Sequence, residues 1–349
     1  MKTAEAYAQT RGSNFFGEKC SMSEKKKSKL TIELEYRAFM LAVGLVRLLP
    51  VDIAYWLAGV ISRLLYIFDF KHRNRTIRHI LHSGIRTDLK SAKKLARENF
   101  RHMVKLFVEI VKFDQIINED NFYEYISIAG DPASQKMLKP ETTFKIILTT
   151  AHLGNWELAG GVHSHITGIP MCSIMRPLGN YKIGDYIYSH RSSFQHRTVS
   201  KERGLRPLIE ANKKGENITI VADQHASKKE GVDVMFFGHP ARAHATPALL
   251  HLKTGTPLAM PYLIRTGNFK FEFHCPEPIS YTPTGDKERD VRNLTQLYTI
   301  MIEKEIRRFP EQWLWAHRRW LDCERGHDDY QIPPEQMPEV LLKGKEDTP

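Results

Sequence analysis

The chain of 349 residues is predicted to fold as an α/β protein with a mostly parallel central sheet flanked by helices. Short β-prone runs alternate with segments of helical periodicity, as expected where helices connect parallel strands. Hydrophobic residues make up 42% and charged residues 26% of the chain, which supports a buried core and excludes a disordered or collagen-like chain. An apolar stretch ahead of the first predicted strand adds an N-terminal helical membrane anchor.

The apolar stretch covers residues 38–68 and is interrupted by two arginines, an aspartate and Pro50. No part of it reaches the ~20 apolar residues that span a bilayer. Pro50 divides it into predicted helices at residues 36–49 and 51–68, which favours a monotopic hairpin lying in one membrane surface. Two buried core helices are the alternative. Lysines precede the stretch but no small-residue cleavage site follows it, so we expect an uncleaved anchor on the cytoplasmic side.

The net charge of +11, from 51 Lys and Arg against 40 Asp and Glu, predicts an anionic partner. Much of the surplus lies in residues 71–112, where twelve basic residues face three acidic ones. A solvated helix face is the ordinary explanation of such a run. Because this run directly follows the apolar stretch, an anionic membrane surface is the favoured partner.

The remaining elements are predicted in order along the chain. A long helix covers residues 89–112, where apolar residues recur every three or four positions. Further helices are predicted at residues 204–214, 246–254 and 296–309, and β-runs at 144–149, 171–175, 218–222, 258–263 and 269–274. The predicted organisation is a basic tail (1–30), a membrane-associating segment (31–70), an α/β domain (71–325) and a polar C-terminal tail (326–349).

The most informative stretch follows the β-run at residues 144–149. His152 comes just after it, Gly154 allows a tight turn, and a helical pattern begins near Trp156. Ligands of open α/β sheets bind beyond the carboxyl ends of the strands, which is where His152 falls. His152 and Glu157 would lie ~140° apart on a continuous helix, so they meet only if the chain bends between them. A carboxylate on one imidazole nitrogen would leave the other nitrogen free to act as a general base.

Asp223 ends the β-run at residues 218–222 and so has the same topological position as His152. It is expected either to orient an arginine or to cap the following helix. The four cysteines are far apart and form no C-x-x-C pair, which makes a disulfide scaffold or a cysteine zinc site unexpected. They are interpreted as small buried apolar residues.

The block His-Leu-Gly-Asn-Trp-Glu at residues 152–157 resembles the active-site block of the bacterial lipid A biosynthesis acyltransferases. These are the late lauroyl and myristoyl transferases, which share their fold logic with glycerolipid and lysophospholipid acyltransferases. Four further features are similar and follow in the family's order: Arg176-Pro177, Gly204-Leu205-Arg206, Ala222-Asp223-Gln224 and the aromatic-basic run at residues 313–320. The resemblance covers roughly residues 36–320.

The resemblance implies a membrane-associated O-acyltransferase at the cytoplasmic face of the inner membrane, working without a cofactor or metal. It would transfer a fatty acyl chain from an acyl carrier protein thioester to a hydroxyl of a lipid A precursor. His152 would be the general base, with Glu157 orienting its ring. Backbone N–H groups near Gly154 and Asn155 are the candidate oxyanion donors, and Asn155 is expected at the substrate.

Arg176 and Arg191 lie where the family places basic residues that contact phosphate or the acceptor, and Arg197 competes with Arg191 for one role. Arginine suits this task because its planar fork pairs bidentately with phosphate. The run at residues 313–320 would suit either a nucleic-acid patch or a lipid headgroup interface. The anchor favours the lipid interface, and no nucleic acid partner is expected.

Three alternatives remain open from the sequence. The same chemistry could act on a lysophospholipid or another glycolipid. A metal-dependent hydrolase could be built on His152, Glu157, Asp223 and His225. A membrane-binding protein without catalysis would keep its function after loss of His152.

Overall fold

The computed structural model describes residues 28–139, 143–175, 178–191, 195–200 and 204–320, with the single residues Ile332 and Pro338. Apart from Ile332 and Pro338, the predicted C-terminal tail lies outside the described residues, as does most of the predicted N-terminal tail. The described chain begins with four helices: α1 (Lys29–Leu48), α2 (Val51–Phe68), α3 (Phe70–His82) and α4 (Leu89–Ile116). Side-chain oxygens of Ser28, Asp69 and Asp88 accept backbone N–H groups at the starts of α1, α3 and α4 and so fix those boundaries.

Helices α1 and α2 are separated at Pro50, as predicted, and each packs against α4. Helix α2 buries only Ala54, Tyr55, Ala58 and Ser62, and α1 only Val43, so the alternative of two buried core helices is wrong. Of nineteen large apolar side chains exposed in the described residues, thirteen lie between Leu30 and Phe70. Within the described ranges, α2 is the one helix long and apolar enough to cross a bilayer, with a mean hydropathy of 1.5.

After α4 the chain forms α5 (Phe122–Tyr125), β1 (Ile126–Ile128) and α6 (Pro132–Met137) before entering the central sheet. That sheet has five strands, all parallel, in the order β4-β3-β5-β2-β8. In chain order they are β2 (Ile147–Thr150), β3 (Met171–Met175), β4 (His196–Ser200), β5 (Asn217–Val221) and, after a hairpin, β8 (Leu258–Ala259). The connections contain α7 (Trp156–Thr167), α8 (Tyr181–Arg191), α9 (Arg206–Lys213) and α10 (Thr246–Thr254). The predicted α/β class with a parallel sheet is thus confirmed.

Two smaller sheets complete the fold. The hairpin of β6 (Gly231–Phe236) and β7 (His239–His244) was not predicted from the sequence. A mixed sheet has the order β1-β10-β9, with β9 (Tyr262–Gly267) antiparallel to β10 (Lys270–His274). The predicted run at residues 258–263 is therefore two strands. It breaks at Pro261, which has no backbone N–H for a ladder, and there the chain passes from the central sheet to the mixed sheet.

The last long helix, α11 (Lys287–Arg308), starts earlier than predicted because Asp286 caps it, and it ends just before Pro310. The aromatic-basic run that follows lies in the core. Trp313, Trp315, Arg319 and Trp320 are each at most 2% exposed, and Leu153 forms a β-bridge with Trp313. The prediction of a surface lipid or nucleic-acid patch at residues 313–320 is therefore wrong. The three indoles and the Arg319 guanidinium face the protein interior, where they help to hold the segment after β2, whereas Arg318 is exposed.

Candidate active site

His152 and Asp223 are brought together by the pairing of β2 with β5. The parallel register places Thr150 opposite Val221. The next pair of residues continues the ladder, since Ala222 N–H donates to the Thr150 carbonyl at 2.9 Å. One residue further along each strand, His152 and Asp223 lie side by side at the carboxyl edge of the sheet, where open α/β sheets bind ligands.

The Asp223 carboxylate accepts three hydrogen bonds. Two come from His152, through Nδ1 at 2.7 Å and the backbone N–H at 2.8 Å, and the third comes from the Trp313 indole at 2.8 Å. Its side chain is fully buried. Burial alone would raise the pKa of Asp223, but the neighbouring His152, its hydrogen bonds and His317 outweigh that effect and hold the pKa below its usual range. The group is therefore an ionised carboxylate.

This contact fixes the tautomer of His152. An ionised carboxylate can only accept, so Nδ1 carries the hydrogen and Nε2 of the neutral ring presents a lone pair. The His152 side chain is 15% exposed, which leaves the imidazole accessible. The Trp156 and His317 rings pack edge-on against it, with centroids at 5.0 and 4.5 Å. Nε2 lies on the partly open side of the site, 3.3 Å from the side-chain nitrogen of Gln224, where an imidazole can act as a general base.

The orienting carboxylate is thus Asp223, and the sequence prediction that Glu157 orients the ring is corrected. Glu157 lies in the first turn of α7, where its Oε1 accepts the Trp156 indole N–H at 3.1 Å. Asp223 was expected to orient an arginine or cap a helix, and its contacts with His152 were not foreseen. The signal was present in the sequence, since both residues follow the ends of β-runs. What the sequence lacked was the fact that these two strands are neighbours.

The turn between His152 and α7 is held by contacts to other segments. Gly154 has a φ of +59°, and its N–H donates to the Gln312 carbonyl at 3.0 Å. Asn155 N–H donates to the Leu263 carbonyl at 2.7 Å. Both N–H groups that were predicted to bind an oxyanion therefore already have carbonyl partners, and this prediction is wrong.

Asn155 also has a different role from the one expected. Its side chain is buried, and its Oδ1 caps α7 by accepting the Leu158 N–H at 3.2 Å. Its Nδ2 donates to the Glu109 carboxylate at 2.9 Å. Both ends of the amide are used inside the protein, so in this structure Asn155 holds the turn.

Glu109 belongs to a buried polar network under this turn. Its carboxylate is paired with Arg265 of β9 and accepts the Tyr55 hydroxyl of α2 at 2.8 Å. Arg265 also donates to Nδ1 of His102 at 2.7 Å. Burial, together with the charge on Arg265, lowers the pKa of His102 well below its ordinary value, so this ring is neutral.

The neutral His102 ring extends the network to the turn itself. Its Nε2 lies 3.2 Å from the Gly154 carbonyl, to which it donates. The residues on each side of the bend in the 152–157 block are therefore fixed by groups from α2, α4 and β9. No sequence pattern indicated this network, because its members come from four separate segments.

The three arginines predicted to contact phosphate or the acceptor differ in what the structure describes of them. Arg176 lies outside the described residues, and Arg191 ends α8 with its side chain outside the described part. Arg197 is on β4 opposite Cys172 and is paired bidentately with Glu216 at 2.7 and 3.0 Å. This position is level with the start of β3, at the amino edge of the sheet. Arg197 is therefore remote from His152 and does not compete with Arg191.

Within the described part of the chain, no group of three or more His, Cys, Asp and Glu side chains is placed to hold a metal ion. Cys172 and Cys275 are buried and free, as predicted for small apolar residues. Burial raises the pKa of the Cys172 thiol to about 11, so it is a poor nucleophile at neutral pH. Cys20 and Cys323 lie outside the described residues.

Comparison with known families places this site in context. The sequence model of a family described as bacterial lipid A biosynthesis acyltransferase matches residues 22–322, most of the chain. This chain belongs to that family. The match includes helices α1 and α2, both carboxylates near His152 and the buried run at residues 313–320.

Individual lipid A biosynthesis acyltransferases are similar over part of their length. The palmitoleoyltransferase of this pathway from Escherichia coli (strain K12) is 27% identical over 191 residues, which are 54% of this chain and 59% of that protein. A lipid A biosynthesis acyltransferase from Haemophilus influenzae is 26% identical over 190 residues, 53% and 56% of the two chains. A phosphatidylinositol mannoside acyltransferase from Mycobacterium tuberculosis is 26% identical over 182 residues, 50% and 54%. The chain spans less than two thirds of the length of each of these curated relatives.

Proposed function

We propose that this protein is a membrane-associated O-acyltransferase that moves a fatty acyl chain from acyl carrier protein to a hydroxyl of a lipid A precursor. The observation that carries the proposal is the hydrogen-bonded pair of His152 and Asp223 at the carboxyl edge of a parallel sheet, in a chain of this family. We place the enzyme at the cytoplasmic face of the inner membrane. The exposed apolar side chains of α1 and α2 and the basic residues at 71–112 support that location.

In the proposed reaction, Nε2 of His152 takes the hydrogen of the acceptor hydroxyl as its oxygen bonds to the thioester carbonyl carbon. The C–S bond of the tetrahedral intermediate then breaks, and the departing sulfur takes the proton from the imidazolium. Asp223 stabilises the imidazolium between these steps, and general base catalysis of this kind contributes ~10²–10⁴-fold. The acyl chain passes directly between substrates, so no side chain needs to be acylated.

Glu157 remains a proposed site residue with a supporting role. Its carboxylate accepts the Trp156 indole N–H, and the Trp156 ring packs against His152. Glu157 would therefore keep the aromatic wall of the site in place. Arg176 and Arg191 stay proposed contacts for a phosphate or the acceptor.

One observation favours a different acyl-acceptor substrate. One of the similar proteins is named a phosphatidylinositol mannoside acyltransferase, so the same chemistry on another glycolipid is the alternative. The choice between acceptors depends on groups that bind the sugar and phosphate, whereas the base and its carboxylate would serve either.

The test uses the purified full-length protein with acyl carrier protein carrying a fatty acid and a tetraacylated lipid A precursor, and it follows the product mass. Addition of one acyl chain is expected, with loss of most activity in His152→Ala. The matched control is His251→Ala on α10, whose ring bonds to the Thr256 carbonyl near the amino edge of the sheet. Wild-type turnover in His152→Ala would contradict the assignment of the base.

Three further experiments separate the alternatives. The same acyl chain supplied on coenzyme A should be a poorer donor, and equal turnover with it would argue against a carrier protein. A phosphatidylinositol mannoside offered in place of the lipid A precursor tests the glycolipid alternative. Activity retained in a chelator is expected, whereas loss that zinc restores would favour the metal-dependent hydrolase.

A further inference from the structure

Gln224 lies over the catalytic nitrogen of His152. Its side-chain nitrogen is 3.3 Å from Nε2 of His152 and 3.1 Å from Nε2 of His317. Its backbone carbonyl accepts the buried Arg319 guanidinium at 3.1 Å, which fixes the segment after β5. One amide group therefore bridges two imidazole rings at the open side of the site.

The hydrogen positions in this bridge follow from chemistry. Nε2 of His152 presents a lone pair, because its Nδ1–H donates to the Asp223 carboxylate. An amide oxygen cannot bond to a lone pair, so Gln224 must present its NH₂ group. The second amide hydrogen then points to Nε2 of His317, which accepts it. Gln224 thus donates one N–H to each ring.

His317 is suited to accept that hydrogen at neutral pH. Burial, together with the nearby His152, lowers its pKa to about 4. Arg75 and His79, from α3, also disfavour a charged ring at this position, while Asp223 favours one. Around His152 itself, the facing titratable groups are Asp223 and His317, with Glu157 held on Trp156. A neutral His317 ring keeps the Gln224 amide in a fixed place.

We propose that Gln224 is a catalytic residue that positions the acceptor hydroxyl on His152, an inference that rests on the proposed function. In the free enzyme its N–H occupies the place of the substrate oxygen. When the acceptor arrives, the hydroxyl inserts between the two nitrogens: the amide N–H donates to the hydroxyl oxygen, and the O–H donates to Nε2. The amide moves by pivoting on its hydrogen bond to His317.

The same N–H then acts during the reaction. As the O–H proton passes to Nε2, negative charge develops on the hydroxyl oxygen, and the amide N–H stabilises it. That oxygen bonds to the thioester carbonyl carbon, and the imidazolium proton leaves on the departing sulfur. The Gln224 N–H returns to Nε2 once the product ester has left.

The first experiment compares Gln224→Ala and Gln224→Glu with the wild type. Gln224→Ala removes the donor, so kcat/KM for the acceptor should fall about tenfold while KM for the acyl donor stays unchanged. Gln224→Glu keeps the shape of the side chain but places a carboxylate oxygen, an acceptor, where the amide NH₂ donates. This change favours a protonated His152 ring. The acidic limb of its pH–rate profile should move up by about one pH unit. Gln115→Glu, at an exposed site on α4, is the matched control and should leave the profile unchanged.

The role of His317 is tested by a double mutant. His317→Phe keeps an aromatic ring but removes the acceptor for the amide, so it should resemble Gln224→Ala. Combined in one protein, the two changes should cost no more than Gln224→Ala alone, because they interrupt the same arrangement. Additive losses would show that His317 acts independently of Gln224 and would overturn this part of the inference.

The third readout is independent of acyl transfer. Nitrogen-15 NMR of the imidazoles in the free protein should show the His152 ring titrating at higher pH in Gln224→Glu than in the wild type. If that titration and the pH–rate profile are both unchanged while His152→Ala is inactive, the inference is wrong and the proposed function stands. If the wild-type protein transfers no acyl chain, the proposed function fails and the catalytic role of Gln224 fails with it.

Discussion

At the scale of single residues, the two carboxylates near His152 differ because of the partners around them. Asp223 has no exposed surface and accepts three N–H groups, two of them from His152. Glu157 is partly exposed, and its carboxylate accepts the neighbouring Trp156 indole N–H. Because Asp223 is buried and ionised and holds both the imidazole and the backbone N–H of His152, it determines the His152 tautomer more strongly than Glu157 does.

The first prediction follows from this difference. Asp223→Asn is expected to lower kcat for acyl transfer by ~10²–10⁴-fold, because the amide removes the charge that stabilises the imidazolium. Glu157→Gln keeps an oxygen that accepts the indole N–H and should cost less than about tenfold. Steady-state kinetics of both purified variants provide the measurement, with circular dichroism as the folding control. A larger loss in Glu157→Gln than in Asp223→Asn would restore Glu157 as the orienting group.

Gly154 is a second residue whose identity is dictated by its surroundings. Its φ of +59° disfavours any side chain, and an added Cβ would overlap the Leu263 carbonyl oxygen. That carbonyl is the acceptor for the Asn155 N–H, so it cannot move without opening the turn.

Gly154→Ala is therefore expected to destabilise the fold by at least ~3 kcal/mol. The matched control is Gly168→Ala at the end of the same helix, which has a φ of +68° but open space around the position of a Cβ. It should cost only ~1 kcal/mol from backbone strain. Urea unfolding measures both, and equal losses in the two variants would show that the overlap with Leu263 is unimportant.

At the scale of elements, the buried pair of Glu109 and Arg265 connects α4 to β9 beneath the active-site turn. The Glu109 carboxylate also receives the Tyr55 hydroxyl of α2 and the Asn155 amide. One carboxylate thus joins α2 to the 152–157 block. Removing one charge of such a pair leaves the other buried and uncompensated.

Glu109→Gln is expected to lower the free energy of unfolding by ~3–5 kcal/mol because Arg265 loses its counter-charge. Replacing both residues, as Glu109→Gln with Arg265→Met, should recover part of that loss, since no unpaired charge is left. Denaturant unfolding of the single and double variants in detergent is the measurement. A double variant less stable than the single one would contradict the interpretation.

The proposed membrane association of α1 and α2 leads to a prediction of its own. Trp56 is 67% exposed on α2, and inserting it into lipid would remove its apolar surface from water. Trp56→Glu should weaken binding to anionic vesicles by at least tenfold in a flotation assay. Ile300→Glu, at an exposed apolar position on α11, should leave flotation unchanged. Equal effects of the two variants would indicate that α2 is not the membrane-binding face.

At the scale of the whole molecule, several buried histidines are neutral. Burial lowers the pKa of His163 to about 3, and burial together with neighbouring charge lowers those of His317 and His102. In the unfolded chain a histidine titrates near ~6.5. Below that pH the unfolded chain binds more protons than the folded chain. The stabilising contribution of these neutral histidines is therefore complete above pH ~6.5, and it is lost as the pH falls toward about 4 for His317 and about 3 for His163.

The free energy of unfolding should accordingly fall on acidification from pH 7 to pH 5. Each such histidine contributes ~1.4 kcal/mol per pH unit once the unfolded form is protonated. His163→Leu keeps an apolar contact but cannot titrate, and its pH slope should be smaller by about one proton. Urea unfolding at several pH values measures the slopes, and identical slopes for the two proteins would show that His163 does not contribute.

The sequence alone was sufficient for the local features of the fold. Pro50 divides the apolar stretch, Gly154 marks the turn before α7, and alternating β-prone and helical runs predict a parallel sheet. These depend on neighbours within a few positions along the chain, where periodicity and turn chemistry carry the information. The same is true of His152 as the candidate base, which stands out because it follows a strand and precedes a turn.

The tertiary structure alone decided which groups meet. Asp223 is 71 positions from His152 in the sequence, and the two meet only because β5 pairs with β2. Trp313 is 161 positions from His152, and it contacts Asp223 only because the final segment lies in the core. Strand order determined that Asp223 and not Glu157 binds the ring, and burial turned the run at residues 313–320 from an expected surface patch into core. Strand order and burial depend on contacts between distant segments, which local sequence patterns do not encode.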